Sequence, residues 1–423
     1  MLNVAVIGYV WPEPNSSAAG QNMLSLITRC LDANFNVTFL TAATDSEHKA
    51  DLEALGVQAH SVALNCSSFN TLIARLNPDV VIFDRYMTEE QFSWRVKESC
   101  PEALRILNTE DLHSLRQARH DAVKKTGDAK QAQLSSELAQ REIASILRSD
   151  LTLVISKQEM ALLTEHYGVP AAQLHYHPLV VGNTTTIQVP FEQRANFVHI
   201  GNFRHAPNWD AVLQLKQSLW PAIKKALPQA ELHIYGAYPP KKATQLHNDK
   251  QGFLVKGWAA DVESVMVNAK ALIAPLRFGA GVKGKLLDAM RCFTPSITTW
   301  VGAEGIVRRK VAKDDPSNDA PYSWPGAICS TDIAKPEVVN NYVEHAVALY
   351  TNKEVWENVS HQAECLLNEF KAHQPQFELT TKILNLTQSL ESHRAALFMQ
   401  SLLWHQTLTA SKYMSQWIEA KNK

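Results

Sequence analysis

The sequence predicts an α/β protein with two doubly wound domains, each a parallel sheet covered by helices. Short apolar, β-branched runs alternate with longer helical patterns along most of the chain. Most of these runs are apolar throughout, which is typical of strands buried on both faces of a parallel sheet. They form two sets of six or seven, too many for one open sheet, so we expect two domains in the 423 residues.

The first set of strands predicts an N-terminal domain over residues 1–190. Its strand candidates are NVAVIG, NVTFLT, VQAHSVAL, DVVIF, LRILN, LTLVI and LHYHPLVV. Intervening stretches such as 21–31 and 88–99 have the period of amphipathic helices. The polar segment 182–196 has no helical period and marks the seam between the two domains.

The second set predicts a domain over residues 191–380, with the strand candidates FVHIG, ELHIYG, GFLVKG, ALIAPL, PSITT and AICS. After about residue 332 the pattern is helical. Residues 381–423 form a predicted helical tail, which we expect to pack back on the body. Its apolar side chains, Trp404 and Trp417 among them, could instead serve a dimer contact or a peripheral membrane surface.

Charge and composition restrict the classes of partner. The net charge is −1, so no global field attracts nucleic acid, and any anion site must be local. The six cysteines are far apart and include no Cys-x-x-Cys pair, which argues against a zinc ribbon or a disulfide framework. The N-terminus has the pattern of a first strand, and no run of 18 apolar residues occurs, so we expect a cytoplasmic protein.

The stretch GAGVKGKL (279–286) lies between a strand candidate and a helix candidate. Glycines allow a backbone to approach an anion, and a helix N-terminus offers free N–H groups, so this context suits phosphate. A Walker A loop requires Ser or Thr where Leu286 stands. The dinucleotide fingerprint requires a carboxylate at the end of the next strand, but Glu304 comes later, in a loop.

Charged side chains around this loop indicate a different phosphate ligand. Lys283 and Lys285 flank Gly284, and Asp288 follows three residues after Lys285 on the same helical face. A carboxylate beside a phosphate site is repelled unless it binds something else, and it can accept two O–H bonds from a ribose cis-diol. Together with Gly279 and Gly281, these residues predict a nucleoside-diphosphate site.

The wider pattern resembles the C-terminal domain of the group 1 glycosyltransferases, the retaining nucleotide-sugar enzymes of the GT-B fold. The motifs, in the family's order, are FVHIGNFRHAPNWDAV, ELHIYGAYP, VKGWAADVESVMVNAKALIAPL, PLRFGAGVKGKLLDAM and TPSITTWVGAEG. The resemblance covers roughly residues 195–310. It implies two Rossmann-like domains facing a cleft, and transfer of a sugar from a nucleotide-sugar donor with retention. It also implies no metal and no further cofactor, with lysines in place of Mg²⁺.

The motifs depart from the family at identifiable positions. Of two acidic positions eight residues apart, Asp288 fills the second, but Ala280 stands at the first. The usual Arg and Lys after the first strand of this domain are absent, and Arg204, near Gly201, is displaced by two positions. The resemblance therefore implies that Lys283 and Lys285 neutralise the donor diphosphate, with Gly201 and Arg204 beside them.

The segment NTEDLHSLR (108–116) follows a strand, at the edge where open α/β sheets bind ligands. The family resemblance implies that a polar residue of this region, commonly His, reaches the donor sugar, and so makes His113 and Asp111 the catalytic candidates. The alternative is a structural cap, with Thr109 or Asp111 at the start of the next helix.

The long loop after the first strand, residues 8–23, is a second candidate contact for the donor or the acceptor. Gly8, Ser16, Ser17 and Gly20 could present backbone N–H groups across the cleft. The alternative is a surface turn in which Ser16 or Ser17 caps the following helix.

Another strand end, in FDRYMTEEQ (83–91), offers Arg85 and Glu89 as contacts to the acceptor. Neither the acceptor nor the donor's base and sugar is indicated by the sequence. Two other functions remain open at this point. One is a nucleotide-sugar epimerase on a similar frame, and the other is a non-catalytic nucleotide-sugar-binding protein, which Ala280 would explain.

Overall fold

The computed structural model of the protein describes residues 1–307, 324–372, 378–406 and 408–422. Within these residues, thirteen strands form two all-parallel sheets, one of seven strands and one of six. The predicted fold class, two parallel α/β sheets with helices and a helical C-terminal region, is confirmed. Each predicted strand candidate overlaps a strand of the structure.

The first sheet has the order β3-β2-β1-β4-β5-β6-β7. Its strands are β1 (Asn3–Gly8), β2 (Asn36–Thr41), β3 (Gln58–Ser61), β4 (Val80–Asp84), β5 (Leu104–Asn108), β6 (Leu151–Val154) and β7 (Leu174–Tyr176). Its helices are α1 (Ala18–Asp32), α2 (Ser68–Leu76), α3 (Arg85–Ser99), α4 (His113–Thr126), α5 (Glu137–Arg148) and α6 (Lys157–Ala161).

The second sheet has the order β10-β9-β8-β11-β12-β13. Its strands are β8 (Ala195–Ile200), β9 (Leu232–Tyr235), β10 (Phe253–Gly257), β11 (Ala269–Ile273), β12 (Ser296–Thr299) and β13 (Gly326–Cys329). Its helices are α7 (Ala206–Gln214), α8 (Trp220–Ala226), α9 (Lys241–Thr244), α10 (Val262–Val267), α11 (Gly284–Arg291), α12 (Trp300–Ala303), α13 (Pro336–Thr351) and α14 (Lys353–Ala372).

Both sheets have the same arrangement of strands around the first strand of the domain. In the first, β1 pairs in parallel with β2 and β4, and in the second β8 pairs in parallel with β9 and β11. The central strands are buried along their length; β4, β5 and β11 have no exposed residue. Strand order reverses beside β1 and beside β8, so each sheet has a switch point at its carboxyl edge, where ligands of open α/β sheets bind.

Among the described residues after α14 lie the helices α15 (Glu378–Gln388), α16 (Leu390–Ala395), α17 (Phe398–Gln406) and α18 (Leu408–Lys421). They pack on the first domain, although the second precedes them in the chain. Leu379, Ile383, Leu386 and Leu390 join the apolar core of β1, β4, β5 and β6. Leu379 thus lies in the first domain's core, just before the expected boundary at residue 380. None of the described helices is both long and apolar enough to cross a bilayer.

The connection between the sheets, residues 177–194, runs beside the end of α14. The Lys371 ammonium donates a hydrogen bond to the Gly182 carbonyl at 2.9 Å. Arg194 anchors the end of this connection, because its guanidinium donates to the carbonyls of Val189 (2.9 Å) and Cys292 (3.0 Å).

Candidate functional site

The glycine loop between β11 and α11 lies directly against the first domain. Gly281 has φ 62°, and a Cβ there would come within 2.9 Å of the Asp111 Cβ and 3.0 Å of Ile155 Cδ1. A Cβ on Gly284 would come within 2.9 Å of the Ala18 Cβ, at the start of α1. Gly281 thus combines a left-handed backbone with a close approach, and both requirements select glycine.

Hydrogen bonds within the loop differ from the expected anion cradle. The Gly281 N–H donates to Glu159 Oε1 at 2.7 Å, so this amide is not available to a phosphate in this arrangement. The Lys283 ammonium donates back to the Gly281 carbonyl at 2.7 Å and lies 3.9 Å from a Glu304 oxygen. Lys283 is buried, and desolvation lowers its pKa. In this arrangement Gly281 and Lys283 are engaged within the protein, and their contacts to the donor stay a prediction.

Lys285 is placed differently from Lys283. Its ammonium donates to Asn208 Oδ1 at 2.6 Å, and burial lowers its pKa to about 7. Within the described ranges it has no carboxylate partner. A Cβ on Gly201 would lie 2.5 Å from the Asn208 side chain, so Gly201 leaves the space that Asn208 occupies. A half-buried ammonium without a counter-ion is suited to an anionic ligand.

The catalytic candidates lie at the carboxyl end of β5. Arg116 forms a hydrogen-bonded ion pair with Asp111, and His113 Nε2 lies 3.6 Å from Asp111 Oδ1. The His113 ring contacts the Tyr86 ring edge-on, with centroids 5.8 Å apart. Burial lowers the pKa of His113 to about 3, so the imidazole is neutral at pH 7. Burial raises the pKa of Asp111, but Arg116 and His113 lower it more, and this carboxylate stays ionised.

The N-terminus of α4 is capped from outside the segment 108–116. Glu142 of α5 accepts the N–H groups of His113 (2.9 Å) and Ser114 (2.8 Å). Asp111 does not cap the helix, and the Thr109 hydroxyl donates to the Leu153 carbonyl instead. The expected alternative of a Thr109 or Asp111 cap is therefore wrong. Burial raises the pKa of Glu142 to about 7.

His205 connects the two halves of the site. It stands at the start of α7 in the second domain. Its electrostatic interactions reach Arg116 and Asp111 of the first domain as well as Lys285 of its own. His205 is therefore within electrostatic range of both the Asp111 group and the Lys285 group. Sequence reasoning missed His205 and Asn208, although both lie in the quoted stretch GNFRHAPN.

Helix α4 also fastens the glycine loop from the first domain. The Arg119 guanidinium donates to both Glu304 oxygens, at 2.6 and 2.8 Å, and to the Gly279 carbonyl at 2.7 Å. Next to it on the helix, His120 stacks on Phe278 with ring centroids 4.3 Å apart. Glu304, which the dinucleotide interpretation would assign to a ribose, is thus engaged by Arg119.

Arg204 lies in an aromatic cluster that also joins the domains. Its guanidinium is 3.6 Å from the centroid of the Tyr238 ring, and the Tyr238 hydroxyl donates to Glu13 at 2.6 Å. Beside them, Trp258 stacks on His48 with centroids 4.3 Å apart. Arg204 therefore interacts with the Tyr238 ring, whereas the Lys285 ammonium donates a hydrogen bond to Asn208.

The loop after β1 is built largely by packing. The Ser17 hydroxyl accepts the Gly20 N–H at 3.0 Å and caps α1, as the structural alternative required. A Cβ on Gly20 would come within 2.3 Å of the Glu13 backbone, and one on Gly8 within 2.2 Å of the Phe39 ring. The Ser16 hydroxyl is buried and has no hydrogen-bond partner in the described part of the chain.

Asp288 is held in place by a second ion pair. Its Oδ1 accepts a hydrogen bond from Arg291 Nε at 2.9 Å, and Arg291 also donates to Glu263 at 2.6 Å. Burial raises the pKa of Asp288. No hydrogen bond reaches Oδ2 of Asp288 from the residues that the structure describes. Arg291 thus orients the Asp288 carboxylate through Oδ1.

The two candidates for the acceptor have different positions. Glu89 is 1% exposed and forms a buried ion pair with Arg148, so its expected contact with the acceptor is wrong. Arg85 has φ 70° at the end of β4, and its guanidinium lies 5.2 Å from the centroid of the Tyr9 ring. A left-handed backbone at a non-glycine residue is strained, and such residues cluster at functional sites.

Comparisons with solved structures establish the fold. The chain is similar to sucrose-phosphate synthase from Thermosynechococcus elongatus (14% identity, TM-score 0.62, 94% of this chain and 100% of that one). It is also similar to a mutant of S. aureus TarM in complex with UDP, among other ligands (9%, 0.63, 92% and 100%). Anabaena HepE in complex with UDP-glucose is a third (11%, 0.60, 93% and 100%). A search of curated proteins gave no match.

These likenesses define the class of the chain as the GT-B fold, with two Rossmann-like domains facing a cleft. Residues 194–319 match the family model described as "Glycosyl transferases group 1". The resemblance of residues 195–310 to group 1 glycosyltransferases, which the sequence motifs indicate, is thus supported for this part of the second domain.

Proposed function

We propose that the protein transfers a sugar from a nucleotide-diphosphate sugar to an acceptor, with retention at the anomeric carbon and without a metal ion. The observation that carries the proposal is the Lys285 ammonium, half-buried beside Asn208 with no carboxylate partner among the described residues. It lies in the second domain, and His205 is within electrostatic range of both Lys285 and the Asp111 group of the first. A donor diphosphate placed there supplies the missing negative charge.

The chemistry of transfer explains why these charges are needed. As the bond between the sugar and the diphosphate breaks, the sugar becomes oxocarbenium-like and the leaving diphosphate gains negative charge. A fixed cation stabilises that charge more in the transition state than in the ground state. Lys285 provides this cation, and Asp288 offers its carboxylate to the ribose. The leaving phosphate accepts the proton of the acceptor hydroxyl.

The first domain supplies the other side of the reacting centre. His113 is neutral and can hydrogen bond a sugar hydroxyl without adding charge. Asp111 is ionised, and its carboxylate stabilises the positive charge that develops on the sugar. The contacts of Arg119 and His120 with the glycine loop bring these groups up to the donor and exclude water from the cleft.

The titles of similar structures indicate which donors to test first. TarM was determined with UDP, and HepE with UDP-glucose. Thermal shifts of the protein should be measured with UDP, ADP and GDP and with the corresponding sugar conjugates, because a ligand that binds only the folded state raises the Tm. The stabilising donor is then incubated with candidate acceptors in EDTA. Nucleoside-diphosphate release is followed, and the anomeric configuration of the product is read by NMR.

A matched pair of variants ties the result to the site. Lys285→Ala should weaken nucleoside-diphosphate binding roughly ten- to a hundredfold, because a charge-assisted hydrogen bond is lost. The exposed Lys250→Ala should bind like the wild type. If no nucleotide stabilises the wild type, the proposal fails. Binding without turnover would favour a non-catalytic nucleotide-sugar-binding protein. A product of inverted configuration would refute the proposed retention, and loss of activity in EDTA would refute the proposed independence from metal.

A further inference from the structure

Glu159 occupies an unusual place in the interface between the domains. It lies in the short helix α6, whose first turn is capped by the Ser156 hydroxyl. A glutamate at this position commonly turns back to the N–H of the capping serine. Here the side chain is directed elsewhere: Glu159 Oε1 accepts the Leu112 N–H at 3.2 Å and the Gly281 N–H at 2.7 Å.

One oxygen atom therefore joins two loops from different domains. Leu112 stands between Asp111 and His113, the catalytic candidates of the first domain. Gly281 belongs to the glycine loop of the second, four residues before Lys285. The Glu159 oxygen fixes the spacing of both loops, and with it the separation between the groups that face the sugar and the group that faces the diphosphate.

Burial of the Glu159 carboxyl is energetically unfavourable, which argues that this residue is there to orient the two loops. Glu159 is 2% exposed, and its Oε2 has no hydrogen-bond partner within the described ranges. Burial, and then the charge of Asp111, raise its pKa to about 8, although the Leu112 and Gly281 N–H groups and Lys283 lower it. Arg119 also interacts electrostatically with Glu159. An unsatisfied buried carboxyl destabilises a fold compared with an apolar side chain of similar size.

We infer that Glu159 is a positioning residue for sugar transfer, which holds the Asp111–His113 loop and the glycine loop in register across the closed cleft. The catalytic part of this inference rests on the proposed function. The bridge itself does not, because it is defined by hydrogen bonds in the protein alone.

Substitutions at this position separate orientation from charge. Both bonds go to Oε1, so Glu159→Gln can retain them through its amide oxygen, whereas Glu159→Ala removes them. We expect kcat to fall roughly tenfold or more in Glu159→Ala, with a smaller change in the donor KM, and to be largely restored in Glu159→Gln. Burial in the closed cleft raises the pKa of Glu159 from an ordinary 4.5 to about 8, so ionisation opposes closure over that window. The ratio of kcat in the wild type to kcat in Glu159→Gln should therefore fall as pH rises toward about 8.

Amide hydrogen exchange tests the bridge without any substrate. The peptide covering residues 278–286 should exchange roughly tenfold faster in Glu159→Ala than in the wild type or in Glu159→Gln. The control is Glu142→Ala, because Glu142 caps α4 within the first domain and makes no hydrogen bond to the glycine loop. It should speed exchange at the start of α4 and leave 278–286 unchanged.

The outcomes distinguish this inference from the proposed function. Unchanged exchange of 278–286 in Glu159→Ala overturns the bridge. If Glu159→Ala does not fold, Glu159→Met decides, because it keeps an apolar side chain of similar size and lacks the acceptor oxygen; unchanged exchange of 278–286 in that variant overturns the bridge. Equal loss of kcat in the Gln and Ala variants, or an unchanged pH profile in Glu159→Gln, overturns the positioning role. Failure of the wild type to bind any nucleotide removes the proposed function but leaves the exchange result intact.

Discussion

Lys285 shows how the surroundings of a single residue turn a common side chain into a titrating group. Burial lowers its pKa to about 7, far below the usual range of lysine. Lys283, two residues earlier, lies near Glu304 and its ammonium donates to a backbone carbonyl. The sequence pattern does not distinguish the two lysines, and their environments assign them different roles.

The pKa of Lys285 predicts a pH dependence for donor binding. A diphosphate binds the protonated ammonium, so the affinity for a nucleoside diphosphate should be constant below about pH 7 and decrease above it. The Kd measured by calorimetry between pH 6 and 9 checks this. In Lys285→Ala the decrease should disappear, and a persistent decrease would contradict the assignment.

The lowered pKa of Lys285 reduces donor affinity as pH rises, but it increases the stability of the free protein over the same range. The unfolded chain binds a proton at Lys285 up to about pH 10, whereas the folded protein loses it above about pH 7. The free energy of unfolding should therefore gain a contribution from Lys285 as pH rises through this window. Urea denaturation of the wild type and of Lys285→Ala, compared at pH 6.5 and 9, measures it.

Gly281 gives a stability prediction with an internal control. Alanine in a left-handed backbone costs about 1–2 kcal/mol. Gly56 has φ 77°, and no atom lies within 4 Å of the place where its Cβ would stand, so Gly56→Ala should show this cost alone. Gly281→Ala should lose at least about 1 kcal/mol more, because its Cβ meets Asp111 and Ile155. Equal losses in urea denaturation would show that the domains do not approach this closely.

At the scale of elements, the strands were predictable because burial on both faces leaves a continuous apolar run. VVIFD of β4 and LRILN of β5 are fully buried in this way. The bounds of shorter elements were harder to predict from the sequence. Strand β7, for example, covers only Leu174–Tyr176 of the longer apolar stretch. At α1 the structure selects Ser17 from the two capping alternatives that the sequence left open, because Ser17 caps its own helix. At α4 the alternative of a Thr109 or Asp111 cap is wrong, because the cap is Glu142 from another element.

The docking of the C-terminal helices depends on a buried ion pair. The Asp150 side chain is fully buried, and Arg394 of α16 donates two hydrogen bonds to it, at 2.9 and 2.8 Å. Trp404 of α17 donates to the Arg148 carbonyl at 2.9 Å. These contacts attach the tail to the first domain at the start of β6.

Arg394→Met should therefore destabilise the protein by about 1.5–3 kcal/mol at pH 7. Burial raises the pKa of Asp150, but Arg394 and Arg105 lower it to about 2. Its stabilising contribution is present above its ordinary pKa near 4 and is lost as pH falls toward about 2. The wild-type advantage in chemical denaturation should shrink over that range. An advantage independent of pH would exclude the ion pair as its source.

For the whole molecule, the site depends on contacts that the sequence separates widely. Gly281 and Glu159 are 122 residues apart, and Arg119 and Glu304 are 185 apart. Local patterns of hydrophobicity identify each loop as the end of a strand, and so the edge of the sheet that binds ligand was predictable. Which loop of one domain meets which loop of the other depends on the angle between the domains, and no local pattern encodes it.

The Arg119–Glu304 pair should control closure. Arg119→Met and Glu304→Gln should each raise the donor KM, and the double variant should be no worse than the more impaired single variant, since both remove one contact. Additive effects would contradict a shared role. The control is Arg141→Met, which breaks a comparable 2.6 Å pair with Glu90 inside the first domain and should leave the KM unchanged.

The return of the C-terminal helices to the first domain means that the polypeptide passes between the domains twice. The first connection lies beside the end of α14, because Lys371 donates a hydrogen bond to Gly182. A domain attached to its partner at both of its ends has fewer relative motions than a domain on a single linker, so less conformational entropy is lost each time the cleft closes.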